Sequence, residues 1–156
     1  LFRVDPVLEF NSTLDIFGDL LMCVQCILKS SKIIYDPNLH YHYIAYKHIP
    51  FFNGLTQERL SGPKALMKVI ELTKKLDNFN VSTVKDIYVS YSIQLLMQLL
   101  NEENQDYHQI EEVRQNLYRF SINELNSQDV KMSCIMARKM TMIYYNFWKM
   151  RKKTLD

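Results

Sequence analysis

Two of the three cysteines stand as Cys23-x-x-Cys26 within LLMCVQCILK. That spacing is half of a tetrahedral zinc site, which draws its ligands as two close pairs. The second pair would have to be His40 and His42. They are separated by a single residue, a gap shorter than the usual histidine pair of a zinc site. On a helix, residues at i and i+2 point about 200° apart, so only an extended segment or a loop would turn both toward one ion. A redox reading of the C-x-x-C needs a surrounding β-α-β pattern, and none is present. We therefore expect two partly buried free thiols on a helix and no cofactor, with zinc on Cys23, Cys26, His40 and His42 as the alternative.

The four histidines are His40, His42, His48 and His108. No acidic or serine partner stands at a recognisable motif spacing beside them. The chain has no Gly-rich phosphate loop, no H-E-x-x-H and no G-x-S-x-G. It holds only three glycines, and phosphate cradles and nucleophile turns both rely on glycine. The expectation is a protein that is not an enzyme.

Two other groups carry recognition chemistry. Met132, Met136 and Met140 recur at four-residue steps, while Val130, Ala137, Tyr144 and Phe147 occupy a different side of the same segment. A helix apolar on two faces can bury one in its own core and offer the other to a partner, and methionine suits an adaptable surface. Tyr41, Tyr43 and Phe51 form a second aromatic candidate for partner binding. The tail YYNFWKMRKK mixes aromatic residues with the basic patch Lys149, Arg151, Lys152 and Lys153. Stacking plus phosphate contacts would suit a single nucleic-acid strand. The same cations also complement the negative end of a helix dipole.

These groups must be positioned by helices. The 156 residues are 47% apolar and 23% charged, the make-up of a folded globular chain. Scarce glycine and four prolines disfavour a turn-rich β fold. Ser12 opens a first helix in a capping-box pattern, with Ile16, Phe17, Leu20, Leu21, Val24, Ile27 and Leu28 as its stripe. Asp36-Pro37 starts LHYHYIAYKHI, which Pro50 ends; a short strand is the other option there, since Asn53-Gly54 suits a hairpin turn. Ser61-Gly62-Pro63 starts a helix carrying Leu66, Val69, Ile70, Thr73 and Leu76. Ser82 caps a helix apolar nearly all round, which belongs at the centre. After the polar connector NEENQD comes a helix with Tyr107, Ile110, Val113, Leu117 and Phe120 inward. Ser127 caps one last long helix running into the basic tail. The expected fold is all-α: a compact bundle of five or six helices with residues 83–100 as the buried central helix, spanning 1–156 as one domain cut from a longer protein.

A net charge of +2 gives no global pull toward nucleic acid or an anionic membrane, and no apolar run approaches a membrane span. An odd cysteine count argues for a reducing, intracellular compartment. The expected function is a non-enzymatic protein–protein interaction domain of an adaptor or assembly subunit, taking a partner helix or peptide. A secreted cytokine-like ligand is the first alternative, resting on the helix count and the sequons at Asn11 and Asn80. A small nucleic-acid-binding domain using the C-terminal cations is the second.

Overall fold

The structure is a computed structural model and describes residues 14, 16–34, 57–76 and 79–153. Within them the chain is all-helical: α1 (Gly18–Lys29), the single turn α2 (Gln57–Leu60), α3 (Gly62–Thr73), α4 (Val81–Asn101), α5 (Tyr107–Asn116), α6 (Gln128–Lys139) and α7 (Thr141–Lys153). A 3₁₀ turn, Ile122–Glu124, joins α5 to α6. Six of these helices are ten residues or longer, and no strand occurs among the described residues.

The apolar run of α4 fixes the architecture. Tyr88, Val89, Leu95, Leu96, Met97 and Leu99 are buried, and only the narrow face of Thr83, Ile87, Gln94 and Asn101 is exposed. Such a helix needs neighbours around most of its circumference. It packs against α3, α5, α6 and α7, and α1 lies on α3. The sequence placed Ser82 at the cap of this helix; Asn80 holds that position instead, and the Ser82 hydroxyl donates to Asn80 Oδ1. Polar groups inside are satisfied locally. Ser92 Oγ donates to the Tyr88 carbonyl at 2.8 Å, and Thr73 Oγ1 to the Val69 carbonyl at 2.8 Å.

The helix start expected at Ser12 lies outside the described residues, and α1 itself begins only at Gly18. Phe17 precedes it with φ 62 and ψ 13, a left-handed conformation that costs a side-chain-bearing residue about 1–2 kcal/mol. The Phe17 ring is held edge-on to Tyr91 at 5.0 Å, which offsets that strain. On α1, Leu21 is buried, but Ile27 of the expected stripe is exposed.

The same Tyr91 explains Gly62. The Tyr91 hydroxyl donates to the Arg59 carbonyl at 2.9 Å, which lays the ring across the start of α3. A Cβ on Gly62 would lie 2.4 Å from Tyr91 Cε1 and 2.8 Å from Cζ. Helix propensity alone predicts that Gly62→Ala stabilises by up to about 1 kcal/mol. The overlap with a pinned ring predicts the reverse, a loss of about 1–3 kcal/mol. Thermal unfolding decides between them, and an increase in Tm would refute the steric account.

Two side chains of α4, Lys85 and Asp86, reach the connection between α5 and α6. Lys85 Nζ stands 2.6 Å from Glu124 Oε1 and 5.1 Å from the centre of the Phe120 ring. Glu124 also accepts the Ser121 backbone N–H at 2.8 Å. These bonds, the one from Lys85 foremost, lower the Glu124 pKa to about 2. A carboxyl depressed on folding contributes stability above its ordinary pKa, and that contribution fades as pH falls from about 4.5 toward 2. Glu124 is largely solvated, so screening holds the effect to about 1 kcal/mol. Denaturant titrations of the wild type and Glu124→Gln should differ by that amount at pH 6 and converge by pH 2. A constant gap would refute the assignment.

The last long helix is two helices. Met140 leaves helical geometry at φ −134 and ψ 43. Its N–H still bonds the Met136 carbonyl at 2.8 Å, and its own carbonyl accepts from Tyr144 N at 2.9 Å. The carbonyl freed at the break, on Ala137, accepts Thr141 Oγ1 at 2.6 Å. Threonine bonding back to the preceding turn is a recognised way to bend a helix. Neither glycine nor proline marks this site, so apolar spacing alone runs straight through it.

Candidate interaction surface

Among the described residues, α6 and α7 leave the most apolar surface uncovered. α6 turns Cys134 and Ala137 into the core. Burial raises the Cys134 thiol pKa, with the nearby Arg138 opposing it. The methionine row then separates by position. Met136 is half-buried, whereas Met132 and Met140 are exposed, and Met140 sits at the break rather than on α6.

α7 touches the body on one side. Tyr144, Tyr145 and Trp148 face α6 and α4 and pack on the core. Tyr145 and Trp148 stack at 6.1 Å, and the Tyr145 hydroxyl donates to Asn101 Oδ1 at 3.2 Å. Phe147 was expected inward with Tyr144; it is 53% exposed instead. Ile143, Phe147 and Met150, at i, i+4 and i+7, form an outward stripe, with exposed Met142 beside it. That spacing is readable in the sequence. What hid it was the assumption that Phe147 continued the core face of one unbroken helix.

A cleft of about 280 Å³ opens beside the stripe, lined by Met136, Tyr144, Phe147, Trp148 and Arg151. A second, of about 240 Å³, shares Tyr144 and Trp148 and is bounded by Ser90, Gln94 and Val130 among others. The basic patch borders the same region. Lys149 and Arg151 are exposed, and Lys149 Nζ lies 5.8 Å over the Tyr145 ring. Lys152 and Lys153 fall in the last turn of α7.

The other candidates do not join this surface. Cys23 is exposed on α1 and Cys26 is buried, so the two thiols are separated by environment; all three cysteines are free. His40, His42, His48, Tyr41, Tyr43 and Phe51 lie outside the described residues. Among the described residues, no group of three or more His, Cys, Asp or Glu side chains is placed to hold a metal ion. His108 is exposed at the start of α5, where its backbone N–H donates to Asp106 Oδ1 at 2.9 Å. Tyr107, expected inward, is 78% exposed, because at about 100° per residue it stands to one side of the face shared by Ile110, Val113 and Leu117. A larger cleft of about 380 Å³ lies between α1 and α3, lined by residues such as Leu21, Met22, Lys68 and Glu71, with no histidine, cysteine or serine among them. None of the helices of the described residues is long and apolar enough to cross a membrane.

No family model, curated protein or solved structure matches this chain.

Proposed function

We propose that this chain is a non-enzymatic protein-interaction domain that takes a partner helix or peptide on the outer side of α6 and α7. The observation that carries the reading is the outward stripe of α7, where Ile143, Phe147 and Met150 present apolar surface beside a cleft edged by Met136. Contiguous exposed apolar surface of this kind marks partner sites. Helix-in-groove recognition draws its anchors from such i, i+4, i+7 positions. The aromatic residues best suited to stack on bases, Tyr145 and Trp148, stack on each other and face the body, which favours a protein over a nucleic-acid strand. Three free cysteines suit the reducing interior of a cell, where an adaptor or assembly subunit would act.

A photo-crosslinking residue at position 147, expressed in cells, should capture a discrete partner, whereas one at the exposed Glu112 of α5 should not. Phe147→Asp should reduce partner recovery by at least about tenfold and change stability by no more than about 0.5 kcal/mol, as an exposed site allows. Equal recovery with and without Phe147→Asp would remove this face from consideration.

A further inference from the structure

We propose that the occupant of the α7 face is an acidic amphipathic helix: an inference that rests on the protein-binding reading above and adds the chemistry of what is bound. Residues 128–153 carry seven basic side chains and one acid, Asp129, a net of +6 in a chain of total +2, which leaves −4 for everything else. Positive charge is therefore concentrated on α6 and α7, the second of which carries the stripe.

Its placement is also ordered. Successive helical residues turn by about 100°, so Lys149 and Arg151 stand about 100° to either side of Met150. Ile143 and Phe147 fall near Met150, between the two cations. An apolar seam with a cation on each shoulder complements a helix that has an apolar seam and carboxylates on each shoulder. α7 is 13 residues long, about 20 Å of axis, which matches a partner of three to four turns. The cleft under Met136, Phe147 and Trp148 gives one partner side chain a concave seat. A flat bilayer surface would leave that hollow unfilled, and a phosphate backbone has nothing apolar to put in it. The occupant is therefore a helix with aliphatic or aromatic residues at i, i+3 or i+4, and i+7, flanked by Asp and Glu.

The test titrates the isotope-labelled chain, followed by amide resonances, with a designed helix of about 20 residues. It carries Leu on one seam and Glu on both shoulders, and a second peptide has Lys in place of every Glu. Oligothymidine and phosphatidylserine-containing vesicles are run alongside. The Glu peptide should shift resonances of α6 and α7, with affinity falling about tenfold between low and high salt. Lys149→Glu combined with Arg151→Glu should weaken the Glu peptide by about tenfold and admit the Lys peptide, a reversal that loss of folding cannot imitate. Equal binding of both peptides, abolished by Phe147→Asp, overturns the acidic preference and leaves the protein-binding reading standing. Occupation of the face by oligothymidine, by vesicles or by a second copy of the chain, or by nothing offered, overturns both.

Discussion

Arg138→Met should destabilise the protein by about 3 kcal/mol, although Arg138 is a cation on a partly solvated helix. The guanidinium reaches from α6 to the end of α5. Its Nε donates to the Leu117 carbonyl at 2.9 Å, and Nη2 donates to the Leu117 carbonyl and to that of Phe120, the latter at 2.6 Å. The last carbonyls of a helix have no partner within it, and they form the negative end of its dipole. Here one side chain answers both needs at the Leu117 C-cap and also holds the Phe120 carbonyl of the turn that follows. Its charged carbon also lies 4.9 Å over the Tyr118 ring, and the Tyr118 hydroxyl donates back to the Arg138 carbonyl at 3.3 Å. Removing the fork leaves the carbonyls of Leu117 and Phe120 without these donors beside a packed interface. Arg138→Lys keeps the charge but replaces a planar fork with a single ammonium, so it should recover about half of the loss. Urea unfolding measures both variants. A loss below about 1 kcal/mol for Arg138→Met would mean that water replaces the guanidinium without penalty.

Asp86→Ala should cost about 2–4 kcal/mol, by the mirror-image arrangement at the other end of a helix. Asp86 is 8% exposed on α4. Its Oδ1 accepts Asn126 N at 2.9 Å and its Oδ2 accepts Ser127 N at 2.8 Å, at the start of α6. Ser127 occupies the N-cap position, yet its side chain makes no capping bond. The carboxylate from α4 receives the chain there and places negative charge at the positive end of the dipole. Asp86→Asn should rescue little, because an amide offers one acceptor and turns a donor toward the second N–H. Chemical denaturation of the two variants reads this directly. Near-complete rescue by Asn would show that one acceptor is enough.

These two residues mark the boundary of what the sequence can express. Local signals were legible: Ser61-Gly62-Pro63 starts α3, the polar connector NEENQD separates α4 from α5, and the all-round apolar character of α4 identifies the centre. Each depends on neighbours within one turn or on periodicity. The ends of α5 and α6 are instead completed by side chains 21 to 41 positions away in the chain, and no local pattern encodes such a bond. The break at Met140 was illegible for a related reason. Residues 130–150 keep a workable apolar spacing whether the backbone bends or not, and Thr141 supports the bend with a hydroxyl that could equally face solvent. That bend decides the surface, because it sets which residues of α7 meet the body. The sequence singled out the methionine row and the basic patch, but it set Phe147 inward and read no stripe through Ile143 and Met150.

α4 is the wall that four other helices share. Without it, α3 would have only α1 and the single turn α2 to lean on, and α6 only α7 and the 3₁₀ turn. Pairs of 12- or 13-residue helices hide too little apolar area to stand by themselves. No half of the described bundle is therefore a viable fragment, and these helices should appear and vanish together, as one cooperative unit.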